Sequence, residues 1–441
     1  MISKDIDRNL ILLLTLIILV LQRTSYKAVI LIAGIFLWAK FYSLNKDDSY
    51  LEFILSRMLV LSVPLSFVSI SGRLYSQSII SWFNLFFVFL TGLVIVKNLA
   101  NYSFSMNKLS FISLKIIVLG IVPIFVSKTM NSAIKQYINF VIPFVLIIIG
   151  NNVKYFCSMK GKKILLYDYI FATNIVGIGT LLQYIAKRVF NIVVGNYSYM
   201  GGYRHGFGFL FADFSFLSLY LVTGAALLLY LIDEGKIDMK KGVINIVFLV
   251  ITSIMTSART GVFSFIVVFG LFVLPKFFYY LIYNFPRVIA LTLAVVLLLG
   301  SSFMLVERVR GNRKFSDSGR GKLNKKAFNL FLEKPIFGVG FGSENYSNIS
   351  GMLPHNLIFQ YLAQGGLILC IPLFIALIMI LAITKKNDRA LFGTILCILI
   401  GSLFIPNIFN SRYMGAIFLI FSIRDVADIY SENAKEIGYE S

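Results

Sequence analysis

The sequence predicts an all-α, polytopic integral membrane protein with about 12–14 transmembrane helices and one long external loop containing an amphipathic helix. Three observations predict it. The 441-residue chain is 58% hydrophobic and only 14% charged, with 42 Phe, whereas a soluble domain of this size exposes far more charge. Apolar runs long enough to cross ~30 Å of hydrocarbon recur from end to end. One connection, residues 307–354, interrupts them with basic residues and glycines.

The apolar segments lie near 9–22, 26–43, 53–70, 79–96, 109–127, 134–150, 164–186, 206–232, 242–258, 260–275, 288–306, 356–383, 390–408 and 411–424. Several are short for a ~20-residue span or run together. Residues 1–8 lack the small-residue cleavage site of a signal peptide, so the first run is expected to be a retained span. The tail 425–441 is polar and expected to fray. No fixed-period repeat or low-complexity tract divides the chain, so residues 1–441 read as a single transmembrane domain.

Orientation follows from Lys and Arg in short loops. With the N-terminus in the cytoplasm, the inner segments carry roughly twice the basic residues of the outer short loops, and both termini lie inside. Lys154, Lys160, Lys162 and Lys163 fall in one inner loop, and Lys385, Lys386 and Arg389 in another. The net charge of +21 suits anionic membrane lipids or lipid-linked phosphates. It does not suit nucleic acid, because it is scattered over short loops between spans. Cys157, Cys370 and Cys397 have neither paired nor metal-ligand spacing, so no disulfide framework and no metal site are expected.

That orientation places 307–354 outside, where topology calls for no positive charge. Yet the loop carries nine bases against four acids, which points to an anionic ligand. Leu323, Ala327, Leu330 and Phe331 fall on one helical stripe, with Lys322, Lys325 and Lys326 elsewhere on the wheel, and Pro335 ends the pattern. This predicts an amphipathic helix lying on the membrane surface. Ser318 is the expected N-cap, which puts Arg320 in the first turn. A cation there opposes the helix dipole unless an anion sits there too.

Several residues could carry chemistry. His355, one of two histidines, opens a long span with Asn356 after Pro354; a neutral imidazole there can take a proton from an attacking hydroxyl. Arg259, in Thr256-Ser257-Ala258-Arg259-Thr260-Gly261, sits at a tight outer turn between two apolar runs, where an arginine must reach an interface or a partner. Arg204 and His205 precede a span in Tyr203-Arg204-His205-Gly206-Phe207, again outside. Gly338, Gly340 and Gly342 form GxGxG. No strand precedes it, so it is no dinucleotide fingerprint and instead suits a tight turn back to the membrane. Arg57, Asp168 and Asp213 read as polar contacts between helices.

The set as a whole resembles the O-antigen polymerase and O-antigen ligase superfamily. The resemblance rests on Ser257-Ala258-Arg259-Thr260-Gly261 opening a span, Ser318-Gly319-Arg320 in an outer loop, Glu333-Lys334-Pro335 followed by Gly338, Gly340 and Gly342, then His355-Asn356 and Gln364-Gly365-Gly366-Leu367. It covers about 252–370. Tyr203 to Phe207 resembles an earlier family motif. There an aspartate is often followed by Pro-Asn, whereas Asp213 is followed by Phe214-Ser215.

The resemblance implies glycan transfer from a polyprenyl-diphosphate carrier on the outer face of a bacterial inner membrane, without metal or cofactor. His355 would be the essential histidine, and Arg259 and Arg320 would hold the diphosphate. Arg204, Asn356, Gly338, Gly340 and Lys322 would contact substrate, and loop 307–354 would carry part of the active site. A departing diphosphate builds negative charge that arginines stabilise in a dry pocket, and His355 would receive the acceptor's proton. A polymerase would lengthen O-antigen or capsule, with a flippase and a chain-length regulator as partners. A ligase would transfer the glycan to lipid A core. Richness in Ile, Phe, Asn and Lys tilts the reading to polymerase. A flippase for lipid-linked oligosaccharide, the alternative of another class, would carry its charge inside the bundle and need no long outer loop.

Overall fold

The computed structural model describes residues 51–69, 81–153, 159–199, 205–283 and 319–423. The spans expected at 9–22, 26–43 and 288–306, the polar tail, Arg204 and the external loop up to Ser318 lie outside these residues.

The described chain is an all-α membrane bundle with one short hairpin. Its elements are α1 (Leu51–Leu61), α2 (Trp82–Ala100), α3 (Lys108–Leu119), α4 (Val122–Val126), α5 (Met130–Asn152), α6 (Met159–Val189), β1 (Asn196–Tyr199), β2 (His205–Phe209), α7 (Phe214–Asp233), α8 (Met239–Met255), α9 (Thr260–Tyr283), α10 (Arg320–Glu333), α11 (Ser343–Ser350), α12 (Leu357–Asn387), α13 (Arg389–Ser402) and α14 (Arg412–Ser422). Among the described residues, six helical segments are long and apolar enough to cross a membrane: α2, Lys108–Val126, α5, Gly161–Val189, α7 and α12. Thr260–Lys276, α13 and α14 are shorter apolar helices.

Two expected spans take a different form. Over 53–70, α1 ends at Leu61 and gives way to a 3-10 turn at Val63–Leu65. Pro64 lacks the amide that would continue the helix. Over 206–232 the helix starts only at Phe214, because residues 205–209 form β2.

The core sits around α7, which is buried over most of its circumference and packs against α6, α8, α9 and α13. A helix apolar on all sides belongs in such an interior position. Gly261 lets α9 approach α7, since a Cβ there would collide with the Ser218 carbonyl. Polar contacts between helices occur as expected for Arg57 and Asp168. Arg57 Nε donates to Asp168 Oδ2 at 2.8 Å, with both side chains buried, tying α1 to α6. A further buried arginine, Arg412, opens α14 and donates to Asn84 Oδ1 at 3.0 Å and to Asn139 Oδ1.

The two ends of the bundle differ. One end holds the charged pairs Lys162–Asp388 at 3.2 Å, Lys236–Glu234 at 2.6 Å, Lys276–Asp233 and Arg389–Asp233 at 3.7 Å. The other end gathers the hairpin, the turn before α9, the start of α10 and the turn before α12.

The amphipathic stripe of α10 is used for packing on protein. Ala327 is fully buried with Val339, Tyr346 and Ala363, and Leu330 packs against them. The helix therefore sits on α12 and the glycine loop, and it is Phe328 and Leu332, beside the stripe, that stay exposed.

Candidate active site

Four helices begin at the same end, and each has a polar residue at its start. Asp213 caps α7, its Oδ1 accepting from the amides of Ser215 at 2.6 Å and Phe216 at 3.3 Å. Arg259 precedes α9, and its carbonyl accepts from Phe263 at 2.9 Å. Arg320 is the first residue of α10, behind Gly319. Asn356 caps α12, accepting from Ile358 at 2.9 Å and Phe359 at 3.2 Å, and His355 stands immediately before it.

The local sequence builds each start. Ser257 adopts a left-handed φ of 65°, ending α8 and turning the chain sharply toward Arg259. Its Oγ donates to the His205 carbonyl at 2.5 Å, pinning this turn to β2. The α10 N-cap is Gly319 with φ 74°, and it makes no side-chain cap; the expected cap, Ser318, lies outside the described residues.

These starts interact electrostatically. The Arg320 guanidinium is pulled below its ordinary value by burial and by the like charge of Arg259, and Asp213 opposes this. His355 is held below the ordinary histidine value by burial first and by Arg320 second; Asp213 and a backbone hydrogen bond to Phe404 act the other way. Arg259, Arg320, His355 and Asp213 therefore form one group. Its two guanidiniums repel each other across a partly dry space, at the positive ends of four helix dipoles. An anion with oxygens on several sides would relieve that repulsion. The imidazole, neutral near pH 7, can accept a proton.

Other expected site residues are placed differently. Lys322 is exposed on α10. Asn356 uses its side chain on the protein, with Oδ1 capping α12 and Nδ2 donating to the Leu403 carbonyl at 3.3 Å. Gly338 and Gly340 are buried, and their amides donate to the carbonyls of Lys334 and Gln364, both at 3.0 Å. With φ of 68° and 92°, these glycines shape a packed loop, and their amides bond to protein carbonyls. Arg204 lies outside the described residues. The sequence places Asp213 among the polar contacts between helices, whereas the structure puts it at the start of α7 beside Arg320 and His355. The usable signal was an aspartate immediately before an apolar run. The Phe404 carbonyl left no signal, since a backbone acceptor has no residue identity.

Residues 244–374 match the model of a family described as O-antigen ligase. This supports the O-antigen polymerase and ligase superfamily, without separating the two activities. The matched segment contains Arg259, Arg320, His355 and the glycine loop, and leaves Asp213 and the hairpin outside it. No curated protein matches the chain.

Proposed function

We propose that the chain is a polysaccharide polymerase of a bacterial cytoplasmic membrane. It joins polyprenyl-diphosphate-linked oligosaccharide repeats on the outer face, and loop 307–354 supplies part of the site. The observation that carries this reading is that Arg320 and Asp213 act electrostatically on His355, and Arg259 on Arg320, where four helices begin.

The chemistry follows from the groups present. An acceptor sugar hydroxyl attacks C1 of the donor glycan while its proton passes to the neutral His355 imidazole. The new C1–O bond forms as the bond to the diphosphate oxygen breaks, and the electron pair leaves with polyprenyl diphosphate. Arg259 and Arg320 receive the charge that builds on that leaving group. Attack opposite the leaving group inverts the anomeric centre. Asp213 offsets part of the cationic charge before substrate arrives.

A second reading is transfer of the same glycan to a lipid A core, which the O-antigen ligase description favours. The two differ in acceptor and share the donor chemistry. The test is His355→Ala in cells that make the polymer. Lipid-linked single repeats should accumulate while the variant remains folded in the membrane. Polymer of normal length, with glycan still reaching lipid A core, would sink the catalytic assignment. Loss of glycan on lipid A core, with polymer still made on the carrier, would replace the polymerase with the ligase.

A further inference from the structure

The hairpin between α6 and α7 has one aromatic face. Tyr197 pairs across the strands with Phe207, and Tyr199 with His205. Alternation along each strand puts all four on the same side. Their rings pack in series: Tyr197 and His205 stack at 5.8 Å, Tyr199 lies 5.5 Å from His205, and Tyr197 lies 5.7 Å from Phe207. Burial is graded. Phe207 is fully buried, His205 and Tyr197 are partly covered, and Tyr199 is 61% exposed.

This face is held rigidly. Gln183 of α6 accepts from the Phe209 amide at 2.8 Å and donates to the Asn196 carbonyl at 2.8 Å. Asn196 donates to the carbonyls of Phe211 at 2.7 Å and Ala212 at 2.9 Å. Two cations flank it. Lys187 Nζ lies 5.1 Å from the Tyr197 ring centre, and the Arg188 guanidinium lies 5.7 Å from that of Tyr184. Tyr197 Oη and His205 Nδ1 are 2.6 Å apart, so the imidazole is fixed in orientation and Nε2 is the nitrogen that can meet a hydroxyl. The hairpin also joins the candidate active site twice, through Ser257 on the His205 carbonyl and through the short link from β2 to Asp213.

We infer that Tyr197, Tyr199 and His205, flanked by Lys187 and Arg188, form a binding platform for the saccharide part of the substrate, and that this saccharide carries acidic groups. Aromatic faces take the C–H face of a pyranose, where apolar area and ring quadrupole both contribute. A rigid platform loses little conformational entropy on binding. The two cations select carboxylate- or phosphate-bearing sugars and add little for neutral ones. The inference rests on the glycan-transfer reading, and its binding measurement is independent of turnover.

The experiment uses the detergent-purified full chain and saturation-transfer NMR, with an oligogalacturonate and a malto-oligosaccharide of equal length as probes and empty micelles as blank. The wild type should bind the acidic probe more tightly than the neutral one. Tyr199→Ala should weaken acidic-probe binding about tenfold, which corresponds to about 1.4 kcal/mol, and Tyr199→Phe should retain it. The Lys187→Gln, Arg188→Gln double variant should lose the preference for acid. His355→Ala should bind as wild type, so failure of the catalytic assignment leaves this measurement intact. Equal binding of both probes by the wild type, or unchanged acidic-probe binding in folded Tyr199→Ala, would overturn the platform and leave these rings as anchors at the membrane interface.

Discussion

The amide of Gly340 donates to the carbonyl of Gln364 at 3.0 Å, next to the point where α12 is broken at Gly366 (φ 59°, ψ −166°). The break frees backbone groups on both sides, and the chain from Pro335 to Gly340 takes them up. The Val339 amide donates to the Ala363 carbonyl at 2.8 Å, while Leu367 and Ile368 donate to the carbonyls of Pro335 at 2.8 Å and Ile336 at 3.2 Å. A helix can break inside a membrane only where such groups find partners. The glycine loop and the Gln364-Gly365-Gly366-Leu367 motif are thus two halves of one joint. It fixes the end of α10 on α12, and so the distance between Arg320 at one helix start and His355 at the other.

Gly366→Ala should therefore damage the whole protein. A Cβ there would strike the Ile336 carbonyl, and the backbone conformation alone costs about 1–3 kcal/mol for a residue with a side chain. Gly351→Ala is the control, because it has φ 85° but nothing within 4 Å of the added atom. Thermal unfolding in detergent should show a much larger fall in Tm for Gly366→Ala than for Gly351→Ala. Equal falls would mean that the joint adds nothing beyond backbone strain.

The pH dependence of turnover should report the groups around His355. The base must be unprotonated, so the rate falls as pH drops through its pKa. That pKa is held below the ordinary histidine value, so the acidic limb of the kcat/KM profile should lie below about 6.5. Arg320→Gln removes a lowering influence and should move the limb to higher pH. Asp213→Asn removes a raising influence and should move it to lower pH. Non-specific damage would not shift the two variants in opposite directions, so shifts of the same sign would argue against an electrostatic effect of these groups on His355.

Arg259→Lys and Arg320→Lys should each retain folded protein and lose turnover. A point charge does not replace a planar fork that grips two phosphate oxygens. Loss of one stabiliser of developing charge costs about 10²–10³ in kcat, and part of that should appear in each variant. Single-turnover assays with purified lipid-linked donor would measure it, and full activity in both would leave these arginines as topological anchors.

Much of the site was legible because its residues break local rules. Arg320 opposes a helix dipole, Arg259 occupies a turn with almost no loop, and His355 stands at the mouth of a span. Each is costly without a ligand or partner, and such costs show in one sequence. Asp213 was less legible because an aspartate before an apolar run satisfies a rule as an ordinary helix cap. The glycine loop was recognised as a turn, but its partner was hidden, since the bonds joining Pro335–Gly340 to Ala363–Ile368 are backbone bonds. The packing of α10 on α12 was hidden for a related reason. An apolar stripe specifies burial without saying whether lipid or another helix covers it.

The ion pair of Arg57 with Asp168 gives a prediction separate from the site. The two carry Nε–Oδ2 at 2.8 Å and Nη2–Oδ1 at 3.4 Å, with side-chain exposures of 9% and 0%. Removing one partner strands the other charge in a dry interior and typically costs about 3–5 kcal/mol, whereas replacing both with apolar residues of similar volume is often neutral. Asp168→Leu should thus lower Tm sharply, Arg57→Met should do the same, and the double variant should recover most of the loss. Turnover per folded molecule should stay near wild type in the double variant, because the pair joins α1 to α6 and neither residue is among the groups acting on Arg320 or His355. A double variant as unstable as the singles would mean that each residue has essential partners besides the other.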